Sequence, residues 1–261
     1  MLSATLGCGG APSEDLADVQ SNLLAANGLA ANGLAANGLA ANGLAANGLA
    51  ANGLAANGLA ANGLAANGLA ANGLADPAAQ KFMEYVVSCA LPPGHSVTYT
   101  SAGVDYTFAG GIGVAPDWEQ QSCDGSCQRW VSACVLARLN KLGVHRQISI
   151  RGANDALAIT AHELQDFPVR EASYYGNLFQ VAQPRYACLP PKATEITRVC
   201  GDSLVGCAVA IAGACEQVCE TPGRNGTYRD CAAQEIPAHD GYRGTSNDDA
   251  YAETVTVFLA P

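Results

Sequence analysis

Ala26-Asn27-Gly28-Leu29-Ala30 opens ten uninterrupted copies of one pentapeptide that run to Ala75, with a leucine at every fifth position from Leu24 to Leu74. An α-helix advances about 100° per residue, so a period of five walks the leucines around the cylinder and leaves no apolar stripe. Each copy also carries a glycine, which costs roughly 1 kcal/mol relative to alanine in a helix interior. A continuous strand fails for another reason: its side chains alternate with period two, so an odd repeat sends successive leucines to opposite faces. An odd period is satisfied if the chain turns a corner after every five residues. Each leucine then points inward from its own short face, and four faces close one coil of about twenty residues. The expected fold of 26–75 is a short quadrilateral β-solenoid, and the alternative is an Ala/Gly/Asn spacer.

The inward Leu behind an Asn and a small residue resembles the units of the pentapeptide-repeat family, a resemblance that covers about fifty residues and implies a right-handed coil. Here Gly28 and its equivalents stand between Asn and Leu, so the Asn shares the inward side and needs an Asn ladder along the axis. Ten copies make about 2.5 coils and a stack ~12 Å tall, against an r.m.s. span of about 40 Å for a spacer. The flanks supply end caps. Ser13 precedes Glu14, Asp15, Leu16, Val19 and Leu23, which predicts a capping helix within 13–25. Asp76-Pro77 pairs an N-cap residue with proline at the first helical position and predicts a helix to about Ser88, with Phe82, Met83, Val86 and Val87 inward.

Eleven cysteines are divided unequally by the repeats. Cys8 stands ahead of them, and Cys89, Cys123, Cys127, Cys134, Cys188, Cys200, Cys207, Cys215, Cys219 and Cys231 all follow in 76–261. No Cys-x-x-Cys pair is present, so a zinc ribbon is disfavoured, and an even number in one domain predicts five disulfides in an oxidising compartment. Residues four apart on a helix have Cβ atoms about 5 to 6 Å apart, too far for a disulfide. If helical, Cys123 and Cys127, and Cys215 and Cys219, each bond outward to other elements. The net charge of −10, of which the first 75 residues supply −3, includes no basic run to hold phosphate backbones, so nucleic acid is excluded as a partner. No stretch approaches the roughly 20 apolar residues of a membrane-spanning helix.

Leu6-Gly7-Cys8 resembles the end of a bacterial lipoprotein signal peptide, in which a small residue precedes the cysteine that receives the lipid. Such a signal has a basic region and a longer apolar stretch ahead of this point, so the resemblance places the true start upstream of Met1 and makes 1–12 a signal remnant and lipid tether. Lipidation of Cys8 leaves ten cysteines to pair. Gly9 occupies the position where Asp tends to retain such proteins at the inner membrane, so the resemblance implies the outer membrane or cell surface.

In the cysteine-rich domain, Val97 to Thr100 and Val104 to Phe108 read as a hairpin and Ser126 to Lys141 as a helix stopped by Gly143. Strand signals lie at Gln147 to Ile150, Leu178 to Val181, Ala208 to Ile211 and Glu253 to Leu259, and Thr160-Ala-His-Glu163 reads as a capping box. The sum is a disulfide-rich α+β domain. Tyr174-Tyr175-Gly176-Asn177 reads as a packing segment, with the lining of a ligand groove as the alternative. Two strings resemble catalytic blocks. Gln121 and Cys127 match the oxyanion-hole and nucleophile spacing of papain-like proteases, with His239 and Asn247 as base and orienter. Cys200-Gly201-Asp202-Ser203-Leu204 resembles the nucleophile block of GDSL-type esterases, with Ser203 as nucleophile, but no Asp-x-x-His follows. His162-Glu163 lacks the second histidine of a metal helix. The expectation is a surface-tethered, non-enzymatic lipoprotein presenting its stapled domain for adhesion or for binding an unidentified protein or glycan, without cofactor. The alternative is a secreted or surface hydrolase using Cys127 or Ser203.

Overall fold

The computed structural model describes residues 24–26, 77–101, 103–141, 146–180, 184–191, 193, 196–201, 207–220, 222–223, 225–232 and 250–261. Five helices and ten strands follow along them. Strand β1 is Leu24–Ala26, and helix α1 is Pro77–Ala90. Strands β2 (Ser96–Ser101) and β3 (Val104–Ala109) form a hairpin, and α2 is Gly125–Ala137. Then come β4 (Gln147–Arg151), α3 (Ala161–Asp166), β5 (Val169–Gly176) and β6 (Arg185–Leu189). The chain continues through α4 (Thr197–Cys200), β7 (Ala210–Ala214), α5 (Cys215–Val218), β8 (Cys231–Ala232), β9 (Ala250–Tyr251) and β10 (Val255–Leu259).

A six-stranded mixed sheet in the order β1-β4-β10-β5-β6-β7 organises the domain, antiparallel throughout except where β6 and β7 run parallel. Side chains alternate across it, so each strand feeds two layers. Ile148, Ile150, Ala172, Tyr174, Ala187, Val255 and Val257 face the layer built with α1 and α2, where Phe82, Met83, Val86, Val87, Val131, Cys134 and Val135 are buried. Ser149, Arg151, Ser173, Tyr175, Tyr186, Cys188 and Thr256 face the other way and are buried too, under segments with little regular structure. At roughly 1.5 to 3 kcal/mol for each large apolar side chain removed from water, the helical layer carries most of the hydrophobic stabilisation.

Several local expectations meet the structure directly. The inward face of α1 holds Phe82, Met83, Val86 and Val87, each no more than 1% exposed. Gly103 turns the hairpin with φ +79°, a conformation that side chains with a Cβ rarely adopt. The Thr160 hydroxyl accepts from the Glu163 amide at 3.3 Å and so caps α3.

The solenoid is corrected. Among the described residues there is no solenoid coil; the domain is a mixed sheet with few helices. The one described piece of the leucine-repeat region, Leu24–Ala26, pairs antiparallel with β4 of the cysteine-rich domain, Leu24 opposite Ser149 and Ala26 opposite Gln147. Coils of a right-handed quadrilateral solenoid would instead stack parallel on neighbouring repeats. The capping helix expected from Glu14 to about Asn22 lies outside the described residues. Residues 1–23 and 27–75, including Cys8, lie outside the described residues.

Candidate functional site

The ten cysteines of the domain form five disulfides: Cys89–Cys134, Cys123–Cys127, Cys188–Cys215, Cys200–Cys207 and Cys219–Cys231. The outward bonding expected of Cys123 and Cys127 is corrected, because Cys123 precedes the helix. Asp124 is the N-cap of α2, its carboxylate accepting from the Cys127 amide at 2.8 Å, and the extended backbone there brings the two sulfurs together. For Cys215 and Cys219, at the two ends of α5, the outward rule holds: they bond to β6 and β8 respectively.

The bond at Cys127 also decides its chemistry. A nucleophile must be a thiolate, and a sulfur held in a disulfide is not one. Gln121 is exposed, the Gln128 side-chain amide donates to the Cys123 carbonyl, and His239, Asn247 and Ser203 lie outside the described residues. Glu163 is turned into the sheet, where its carboxylate accepts from Ser149 Oγ at 2.7 Å. Tyr174 and Tyr175 are fully buried, one on each face of β5.

The densest chemistry lies on the loop-covered face of the sheet. Arg151, Thr256, Ser173 and Cys188 stand in one row across β4, β10, β5 and β6, each the register partner of the next. Ser173 and Thr256 share a hydrogen bond of 2.7 Å and are inaccessible to solvent. At one end of the row, Arg151 donates to the carbonyls of Glu163 and Phe167 and stacks on the Phe258 ring at 3.7 Å. Burial pulls its pKa below the usual arginine value despite the nearby Glu163.

At the other end the Cys188–Cys215 disulfide touches Cys219–Cys231, with Cys188 Sγ 3.5 Å from Cys219 Sγ. Tyr175, Tyr186 and Tyr251 pack beside them with ring centroids 5.5 to 6.0 Å apart, and burial raises the Tyr175 hydroxyl far above its ordinary pKa. Tyr228 belongs to the same cluster, and its hydroxyl is pushed up to about 12, by burial first and then by its hydrogen bond to Glu216. Cys188, Cys219 and Cys231 are also the one group among the described residues spaced to hold a metal, but as disulfide sulfurs they offer no thiolate. Two disulfides in sulfur contact can exchange partners once one of them is reduced. Sequence spacing gives no sign of this contact, because it depends on where α5 lands relative to β6.

Outside the cysteine-rich domain, a family model described as the GLTT repeat matches residues 24–50 and 48–75. The match supports a repeat segment there, in the form of likeness to this repeat family. No curated protein and no solved structure matches the chain. The five disulfides belong to an exported or extracellular protein, and among the described residues no helix is long and apolar enough to cross a membrane. The chain is thus an exported disulfide protein whose N-terminal region is similar to the GLTT repeat.

Proposed function

We propose that this chain is a non-enzymatic surface lipoprotein. Lipid on Cys8 anchors it at the outer membrane or cell surface, and the repeats connect that anchor to a stapled domain that binds a protein or glycan partner. The observation that supports this reading is the division of the cysteines: ten pair among themselves within the domain, so an eleventh, ahead of the repeats, has no cysteine of this chain left to pair with. Its Leu6-Gly7-Cys8 setting resembles that of an acylated cysteine. A lipid alone gives an anchor without a spanning helix, and dual or triple acylation makes it a stable one.

Metabolic labelling with an alkyne fatty acid tests the anchor. Protein expressed behind a lipoprotein signal peptide should carry label, and Cys8→Ser should carry none. Equal label in both removes the anchor. Protease treatment of intact cells should release the domain, whereas complete protection would remove the surface location.

A further inference from the structure

The edge of β4 is where the domain meets the leucine-repeat region. Leu24-Ala25-Ala26 lies along it in antiparallel register, Leu24 opposite Ser149, Ala25 opposite Ile148 and Ala26 opposite Gln147. On its other side β4 pairs with β10, so this added strand is the outermost of the sheet. An open edge offers unpaired N–H and C=O groups, and a segment that adds to it is held mainly by main-chain hydrogen bonds. Such bonds are nearly blind to sequence. The sequence, however, supplies the same tripeptide again and again: Leu-Ala-Ala recurs at Leu29, Leu34, Leu39 and every fifth residue to Leu69, ten occurrences including the docked one. The docked occurrence differs from the others in its preceding residue, Leu23 in place of glycine.

We propose that the β4 edge is a strand-accepting site for the repeats of its own chain, and that the ten Leu-Ala-Ala tripeptides are alternative occupants of it. Each five-residue step presents the same backbone and side chains to the edge in the same register. Intermediate steps place Asn, Gly or both against β4, and both are poor strand residues. Docking is therefore quantised in units of five. Moving from the first tripeptide to the last shortens the loop to Pro77 from about 50 residues to about 5, and at about threefold per halving this favours the last copy over the first by about thirtyfold. Loop length alone biases the choice among copies without restricting it to one. The consequence is a connection of adjustable length: residues on the N-terminal side of the docked copy extend away from the domain, and those on the C-terminal side form the loop. This holds with or without a lipid on Cys8.

Engineered disulfides in the full chain test it. In a Cys8→Ser background, Gln147→Cys, which is exposed and faces Ala26 across the register, is combined singly with Ala26→Cys, Ala36→Cys, Ala51→Cys or Ala71→Cys, the third residues of four different copies. Gly53→Cys serves as an out-of-register control. After mild oxidation, peptide mapping locates the new bond and confirms the five native ones. All four in-register pairs should cross-link within one chain, with yields within about thirtyfold of one another and rising toward Ala71, and Gly53→Cys should give at least tenfold less than Ala51→Cys. Cross-linking at Ala26 alone, equal cross-linking of Gly53, or cross-links confined to dimers would each overturn the proposal. A second measurement needs no new cysteine. With Leu24-Ala25-Ala26 replaced by Gly-Ser-Gly, nine tripeptides remain, and hydrogen-exchange protection of residues 147–149 should persist. Its loss would mean that one tripeptide, selected by Leu23, is the sole occupant.

Discussion

Arg198 and Glu171 form an ion pair whose side chains are 2% and 7% exposed, and breaking it should be among the most damaging substitutions in the domain. Arg198 Nε donates to both Glu171 oxygens at 2.9 and 3.1 Å, Nη2 reaches Glu171 and Tyr174, and Nη1 donates to the Leu139 carbonyl. One guanidinium thus ties α4 to β5 and to the segment after α2. Burial acts to lower the Arg198 pKa, but Tyr174 and Glu171 outweigh it and hold the guanidinium charged. Removing either partner strands the other charge in a dry site, which costs about 3 to 5 kcal/mol. Arg198→Met and Glu171→Leu should each fall in that range. The double variant removes both charges but leaves the Leu139 carbonyl short of a donor and the buried Tyr174 hydroxyl short of its Glu171 acceptor, a loss of about 1 to 3 kcal/mol for each. Its total loss should therefore fall well short of the sum of the two single variants, with a coupling energy of several kcal/mol. Urea unfolding with disulfides intact, followed by fluorescence of the buried Trp118, measures all four corners of the cycle. Additive effects, or single-variant losses below about 1 kcal/mol, would refute the reasoning.

Three further outcomes are expected. In Cys215→Ser, the freed Cys188 thiolate, 3.5 Å from Cys219 Sγ, should attack that sulfur. A Cys188–Cys219 bond forms as Cys219–Cys231 breaks and its electron pair leaves on Cys231, so alkylation followed by peptide mapping should divide label between Cys188 and Cys231; label on Cys188 alone would exclude exchange. For Glu253, burial raises the pKa, but hydrogen bonds from Arg129 and Ser126 override it and the net shift is downward. A depressed folded pKa contributes stability above the unfolded carboxylate value and loses it as pH falls through the folded value. Arg129→Leu should therefore cost about 1 to 2 kcal/mol near neutral pH, with Arg129 a third exposed, and the deficit should shrink on acidification; a pH-independent deficit in urea unfolding would contradict it. Finally, alkylation of the intact domain under denaturing, non-reducing conditions should label none of its ten cysteines, and label at Cys127 would restore the protease reading.

Elements with one buried face were legible in the sequence. Helix α1 shows its apolar spacing at Phe82, Met83, Val86 and Val87, and the hairpin alternates around Gly103. Strands β5 and β6 were not, because Ala172 to Gly176 and Arg185 to Leu189 are buried on both faces and show no alternation. The reverse error fell at Leu178 to Gln180, the described part of the strand expected over 178–181. Leu178 and Phe179 are core residues in a turn, since the Leu178 amide donates to Ser132 Oγ and the Phe179 amide to Asn177 Oδ1, which takes both out of any ladder. Helix α2 stops at Ala137, short of Lys141, because the Lys141 amide is claimed by the Arg198 carbonyl from a distant segment. Cysteine number pointed to five bonds. The partners depended on tertiary placement, as did the contact between the two disulfides beside the tyrosines.

Strand β10, the last element described, lies between β4 and β5 near the middle of the sheet. A chain crossing a membrane N-terminus first delivers every cysteine before Val255–Leu259 arrives, and the five bonds are nested or consecutive, never crossing. Both groups, Cys89 to Cys134 and Cys188 to Cys231, can therefore oxidise on the outside while the sheet still lacks its central strand. Arrival of β10 completes the sheet, so a chain cut short before it in synthesis or transit emerges fully oxidised yet unable to close its core, open to the proteases that clear such products.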